Sequence, residues 1–259
     1  MLPLHRLLAP APALAVALVL VASAAWMPVT AQAFEITVSG VGPKVTGSGT
    51  VTEQARSVGS FSRLRLDGAI TVEARPAASA SISVRGDDNL VPLITTEVQG
   101  ETLVVSTQSG ASFRTRQPLV VTVNFVQLKG AELRGSGDLN ISQVQGERFD
   151  AAVAGSGDLR IAMAQVGTLH ASVAGSGDLQ AKGQAAEVKF SVAGSGDIHA
   201  SELIAQRGSV NVAGSGDARV HAKESLSVNV AGSGDVWVSG QPPQLRKSVV
   251  GSGDVHRVP

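Results

Sequence analysis

The chain of 259 residues contains no cysteine. It therefore has no residue to carry a lipoprotein anchor, close a disulfide, supply a thiolate to a metal or act as a cysteine nucleophile. The fold must be stabilised without covalent cross-links, and any reactive or metal-binding site must use other side chains.

An excess of either charge is also lacking. The sequence has 21 lysine and arginine residues against 21 aspartate and glutamate residues, so its formal net charge is zero. Nucleic-acid binding depends on a basic surface that neutralises phosphates. The charge balance gives no electrostatic case for a nucleic-acid partner.

Proline is absent between Pro118 and Pro242, so every backbone N–H in this span is free to join a sheet. The tetrapeptide Gly-Ser-Gly-Asp begins in or beside the same span seven times, at spacings of 20, 20, 19, 20, 18 and 19 residues. A unit of about 20 residues cannot bury its own apolar face and must stack on similar neighbours. The motifs start at Gly135, Gly155, Gly175, Gly194, Gly214, Gly232 and Gly251.

Apolar residues recur at every second position on both sides of each motif, which is the periodicity of strands. The position two before the motif is valine in six of the seven repeats, as in Val153 and Val192. Each repeat therefore predicts a strand, a sharp turn and a second strand, stacked into an all-β, right-handed parallel β-solenoid with about 19–20 residues per rung. Glycine permits the sharp corner without steric cost. The predicted structural corners are Gly155, Gly175, Gly194, Gly214 and Gly232.

Three regions are predicted along the chain. Residues 1–33 have the pattern of a signal peptide, with Arg6, an apolar run and a cleavage site at Ala31-Gln32-Ala33. Residues 34–128 are predicted to form a β-rich region that caps the solenoid, and 129–259 the regular repeats. The protein is therefore expected to be exported to the periplasm, the outer surface or the medium, with no integral membrane segment after signal cleavage.

The order of several short motifs resembles the head GIN family, described as putative auto-transporter adhesins. The resemblance implies a right-handed β-helix exported to the bacterial envelope, with an adhesin-like role. It covers essentially the whole mature chain. The stretches that carry it before the Gly-Ser-Gly-Asp series are Gly47-Ser48-Gly49-Thr50-Val51, Phe61-Ser62-Arg63-Leu64, Ile70-Thr71-Val72, Gly86-Asp87-Asp88-Asn89-Leu90 and Leu103-Val104-Val105.

The repeated aspartates are expected to stack at the rung spacing of about 4.8 Å, where adjacent carboxylates repel by about 0.9 kcal/mol in water. One explanation is that each carboxylate accepts backbone N–H groups of the tight turns. The other is a cation held between rungs, with Ca²⁺ as the candidate because hard cations prefer oxygen ligands. The candidate metal ligands are Asp158, Asp178, Asp197, Asp217 and Asp235.

The position two after each aspartate forms an outward column of mixed polar residues. We name four of its members the candidate strip: Arg160, His199, Arg219 and Trp237. Trp237 offers a flat ring for stacking and its neighbours offer hydrogen bonds, which suits a glycan or a protein partner. The alternative is a solvated face with one incidental aromatic residue.

The repeats predict a non-catalytic structural or adhesin-like binding module, with no catalytic residues. An active site would make one rung different, whereas the acidic corner is shared evenly by seven. Two alternatives stay open: a polysaccharide-active lyase or hydrolase with acids on neighbouring rungs, and a calcium-stabilised surface repeat protein. No cofactor other than Ca²⁺ is expected.

Overall fold

The computed structural model describes residues 44–259. The predicted signal peptide and its cleavage site lie outside this range. The described residues form strands almost throughout, with one short 3-10 helix, Val91–Leu93. No helix in this range is both long and apolar enough to cross a membrane.

Nine strands precede the first complete Gly-Ser-Gly-Asp motif: β1 (Lys44–Thr46), β2 (Val51–Arg56), β3 (Arg63–Gly68), β4 (Thr71–Pro76), β5 (Ser81–Asp87), β6 (Ile94–Gln99), β7 (Thr102–Thr107), β8 (Ser112–Arg114) and β9 (Val120–Phe125). Ten more follow: β10 (Gly130–Gly135), β11 (Asp138–Ile141), β12 (Val144–Gly155), β13 (Asp158–Gly175), β14 (Leu179–Gly194), β15 (Ile198–Gly214), β16 (Ala218–Gly232), β17 (Val236–Ser239), β18 (Gln244–Gly251) and β19 (Val255–Arg257).

The strands from β10 onward confirm the predicted β-solenoid. Each pairs in parallel with the equivalent strand one repeat later, so that Gly155 lies opposite Gly175, and Gly175 opposite Gly194. The rung length varies between 18 and 20 residues. Register shifts accommodate this variation a few residues after the motif aspartate, as between Ile161 and Ala164. The motif corners remain aligned while the shifts are confined to the far side of each rung.

The core consists of the predicted inward columns. Val153, Val173 and Val192 are each about 1% exposed, and the leucines that follow the motif aspartates are fully buried. Phe149 and Phe190 fill the interior where most rungs carry a smaller residue. Burial of these side chains is the main stabilising force of the stack.

The rung before the first motif also belongs to the solenoid. Strands β3 and β4 pair in parallel with β10 and β11, placing Gly68 opposite Gly135 and Thr71 opposite Asp138. The corner here is Gly-Ala-Ile, yet the carbonyl of Gly68 still accepts the N–H groups of Ser136 and Gly137. One glycine with a positive φ is therefore enough to form this corner.

A further rung lies beneath, and it is built from later sequence. Strands β7 and β9 pair in parallel with β3 and β4, so the chain places this rung below one that it formed earlier. Antiparallel strands cover the lower edge: β6 pairs with β7, while β5 pairs with β9 and β2. Strands β1 and β8 form a separate two-stranded sheet.

Arg56 satisfies backbone groups at this end of the stack. Its guanidinium donates to the carbonyl oxygens of Ile94 and Val91 at 2.5 and 2.9 Å. Unpaired edge groups invite pairing with other chains. We propose that β2, β5 and β6, together with Arg56, form the N-terminal cap of the solenoid.

Candidate functional site

Two hydrogen bonds fix the corners at each motif. In the second motif, the N–H groups of Ser156 and Gly157 donate to the carbonyl oxygen of Gly135 one rung below, at 2.9 and 3.0 Å. The same pair of bonds recurs at the later corners. The first glycine of each motif has φ between +121° and +139° and lies directly on its counterpart. The corner glycines thus allow backbone to stack on backbone.

From the third motif onward, the repeated aspartates link successive rungs. The carboxylate of Asp178 accepts the backbone N–H of Asp197 at 3.0 Å, and that of Asp197 accepts the N–H of Asp217 at 2.8 Å. Asp217 and Asp235 accept in turn from Asp235 and Asp254, at 2.8 and 2.7 Å. One oxygen of each carboxylate is therefore used in a ladder that runs along the solenoid axis.

The first two motif aspartates have a different partner. Arg160 lies 2.6 Å from Asp158 and 3.4 Å from Asp138, bridging two rungs. All three side chains are partly exposed, so the pairs contribute little beyond offsetting the repulsion between the two carboxylates. Arg160 is thereby held beside the ladder, two rungs away from His199, the next member of the candidate strip.

The rest of the candidate strip forms a continuous stack. His199, Arg219, Trp237 and His256 occupy the same position on four successive rungs. The Arg219 guanidinium lies 4.7 Å from the centre of the Trp237 ring, and its Nη1 lies 3.1 Å from Nδ1 of His199. The His256 ring stacks on Trp237 with centroids 5.4 Å apart. Both faces of the indole are therefore covered, and its edge remains for a partner.

Three potential metal ligands converge beside this stack. Oxygen atoms of Asp178 and Asp197 and a ring nitrogen of His199 lie within 4.8 Å of one another. Both carboxylates already accept an N–H group, and the Arg219 cation lies against the imidazole. A cation here would have to compete with that positive charge. Asp158 is held by Arg160, away from this group.

Another histidine, His170, lies in a charged cluster on β12 and β13. His170 Nδ1 is 2.9 Å from Arg148 and 3.7 Å from Asp150, and its Nε2 is buried without a hydrogen-bond partner among the described residues. Burial, followed by the charge of Arg148, lowers the pKa of His170 below its ordinary value. This cluster was not predicted from the sequence, because Arg148, Asp150 and His170 belong to no repeated motif.

Near the N-terminal cap, a buried acid joins two loops. Asp87 is 1% exposed and accepts the backbone N–H of Gly49 at 2.8 Å and the hydroxyl of Thr115. Next to it, Ser48 donates to Asp88 at 2.5 Å, and its N–H donates to Asn89 at 3.0 Å. The Gly-Ser-Gly-Thr and Asp-Asp-Asn segments are both visible in the sequence, but nothing local indicates that they dock on each other.

The comparisons with known proteins agree with this architecture. The family described as putative auto-transporter adhesin, head GIN domain, matches residues 60–242. No curated protein matches the sequence.

Several solved structures share the fold. A putative adhesin from Bacteroides fragilis has a TM-score of 0.76 at 23% identity, and a putative lipid binding protein from Parabacteroides distasonis has 0.68 at 27%. A putative adhesin from Parabacteroides distasonis has a TM-score of 0.66 at 26% identity. Each alignment covers 83% of this chain and 100% of the other. Because the family match spans more than half of the sequence and includes most of the repeats, the chain belongs to the head GIN family of putative auto-transporter adhesins.

Proposed function

We propose that the protein is a non-catalytic, adhesin-like binding module exported to the cell envelope. The observation that carries this proposal is the use of the repeated acids, which hold the stack together. Asp178, Asp197, Asp217 and Asp235 each accept a backbone N–H from the next rung. A catalytic acid or base must instead be free to reach the substrate's reacting atoms.

The even distribution of these bonds also speaks against a polysaccharide lyase or hydrolase. Glycoside hydrolysis needs two carboxyl groups in different roles, one to donate a proton and one to attack or activate water. Successive ladder aspartates each accept the backbone N–H of the next aspartate at about the same distance. Nothing in this arrangement separates a donor from a nucleophile.

The proposed contact surface is the candidate strip at His199, Arg219 and Trp237, extended by His256. Stacking holds these side chains in fixed conformations, so little side-chain entropy is lost when a partner binds. Since the faces of Trp237 are covered, contact would involve the indole edge and the outward N–H groups of Arg219. Such a surface suits a glycan or protein at the envelope. Arg160 lies outside the stack and would contribute only to a long ligand.

Lipid binding is suggested by one similar structure, that of the putative lipid binding protein from Parabacteroides distasonis. The solenoid interior of the present chain is filled by its own side chains, including Leu159, Leu179 and Ile198 at 0% exposure. An acyl chain would have to lie on the outside. The polar contact surface therefore favours an adhesin-like role.

The experiment that tests this proposal combines localisation with binding. Protease treatment of intact cells followed by fractionation separates surface display from periplasmic retention or secretion. Envelope preparations are then probed with purified wild type, Arg219→Ala and Trp237→Ala, with the exposed Arg246→Ala as a matched control. The proposal expects binding that the first two substitutions weaken and the control does not. A cytoplasmic protein, or equal binding by all four, would refute it.

A further inference from the structure

A lateral groove of about 520 Å³ crosses five rungs of the solenoid, on a part of each rung that follows the candidate strip in sequence. Gln165 and Gln184 pair as neighbours on one wall, and Gln206 and Lys223 lie on later rungs. The groove lies within the size range of sites that bind small molecules and oligosaccharide segments. It is separate from the Asp ladder and from the strip residues.

Short side chains on the floor create the depression. Gly146, Gly167 and Ala186 line it where the flanking columns carry glutamine. A Cβ atom at Gly167 would come 2.6 Å from the carbonyl oxygen of Glu147, so the backbones are closely stacked at this point. The floor is therefore a rigid surface of paired strands rather than a loop.

The four polar side chains of the groove are unpartnered. Among the described residues, none of Gln165, Gln184, Gln206 and Lys223 makes a side-chain hydrogen bond or an ion pair. Some polar side chains elsewhere on the same rungs are paired with each other, as in Asn211 with Asn229 and Lys182 with Glu202. The groove thus holds free hydrogen-bonding capacity on four successive rungs.

The chemistry of the lining selects the ligand. Each glutamine amide can donate and accept at once, which matches sugar hydroxyls that also do both. The rungs repeat at about 4.8 Å, and the sugar units of an extended glycan repeat at nearly the same distance. Lys223, the one charged lining residue, favours a carboxylate at its end of the groove.

A peptide fits this lining less well. An extended peptide can bind by adding to a free strand edge. Strands β13, β14 and β15 have no free edge, because each is already paired with another strand on both sides. Apart from the buried Val166, Ile204 is the only sizeable apolar side chain that lines the groove, so there are no successive pockets for apolar anchors.

We propose that this groove binds a linear oligosaccharide across successive rungs, and binds uronate-containing chains more tightly than neutral chains of equal length. The inference rests on the proposed function in taking the protein as a non-catalytic binding module. It uses different residues, however, so the two proposals fail separately.

The test measures calorimetric binding of linear hexasaccharides, comprising galacturonate, mannuronate and neutral β-linked glucose oligomers, to the full exported protein. Gln184→Ala and Gln206→Ala are each expected to weaken binding about 5- to 10-fold, as the loss of one hydrogen-bonding side chain implies. Lys223→Gln should remove the preference for uronates while leaving neutral binding unchanged. Gln244→Ala, an exposed glutamine outside the groove, is the matched control, and melting temperatures verify that all variants fold.

Absence of saturable binding to every oligomer at millimolar concentration would overturn the groove proposal. So would binding that Gln184→Ala and Gln206→Ala leave unchanged. If Trp237→Ala alone removes the binding, the ligand occupies the candidate strip, which contradicts the groove proposal but supports the proposed function. If the groove variants alone lose binding, the groove is the glycan site and the strip is not.

Discussion

The close stacking of backbone at the corners predicts a large difference in stability between two glycine-to-alanine variants whose glycines have similar φ angles. Gly155 and Gly146 have φ values of +139° and +142°. An alanine at either position incurs a similar strain, roughly 1–3 kcal/mol, because a residue with a side chain rarely adopts such a φ. At Gly155, the new Cβ would also lie 3.0 Å from the carbonyl carbon and the amide nitrogen of Gly135, and closer still to its oxygen. At Gly146, it would meet nothing within 4 Å.

The steric conflict at Gly155 adds a cost in the range of other overpacking substitutions, roughly 1–3 kcal/mol. Gly155→Ala should therefore be less stable than Gly146→Ala by about 2 kcal/mol, and should melt about 4–8 °C lower for a domain of this size. Thermal and urea unfolding followed by circular dichroism measure the difference. Equal stability of the two variants would show that the corners are not in contact across rungs.

Four further outcomes are expected. Val192→Asp, which buries an unpaired charge, should cost at least about 3 kcal/mol in urea unfolding, whereas Ser191→Asp on the exposed face should be nearly neutral; equal effects would contradict the strand register. Asp217→Ala, which orphans the N–H of Asp235, should cost about 1 kcal/mol, and Asp217→Asn should restore most of it, because the amide oxygen can still accept. The lowered pKa of His170 means that its neutral form is favoured in the folded state, so its contribution to folding stability is complete above pH 6.5 and is lost as pH falls below that value. A His170→Gln variant should therefore lose less stability on acidification than wild type, and identical pH profiles of the two would exclude a contribution of His170. Ca²⁺ added to chelator-treated protein should leave the melting temperature unchanged at millimolar concentration, since ladder carboxylates already accept N–H groups; a rise would instead support a calcium ladder.

The repeated motif allowed the fold of the regular part to be predicted from sequence. Because the corner glycines stack directly, alignment of the seven motifs gives the true strand register on both sides of each corner, as in Val153 opposite Val173. The inward columns, the β-solenoid and the head GIN family were confirmed. This success has a local physical cause, namely that each rung repeats the contacts of the one before.

The N-terminal rungs, the groove and the packing around Trp237 depend on contacts that the repeated motif does not specify. The rung formed by β3 and β4 lacks the motif, and the rung below it comes from later sequence, so neither could be placed by alignment. Gln165 and Gln184 each stand ten residues before the next motif, so alignment on that motif pairs them, whereas the irregular pairing around Gln206 hid its place in the same groove. The strip residues were recognised as one column, but the covering of both faces of Trp237 depends on side-chain conformations that a sequence pattern does not specify.

The central claim is that the protein binds at the envelope without catalysis, and one paired measurement tests it most directly. Envelope polysaccharide is incubated with the purified protein, while bound protein and released reducing or unsaturated sugar ends are followed in the same samples. We predict saturable binding, weakened by Arg219→Ala or by the groove substitutions, with no release of sugar ends above the background without protein. Release that wild type produces and a single Asp→Asn substitution in the ladder abolishes would contradict the claim and identify that rung as an active site.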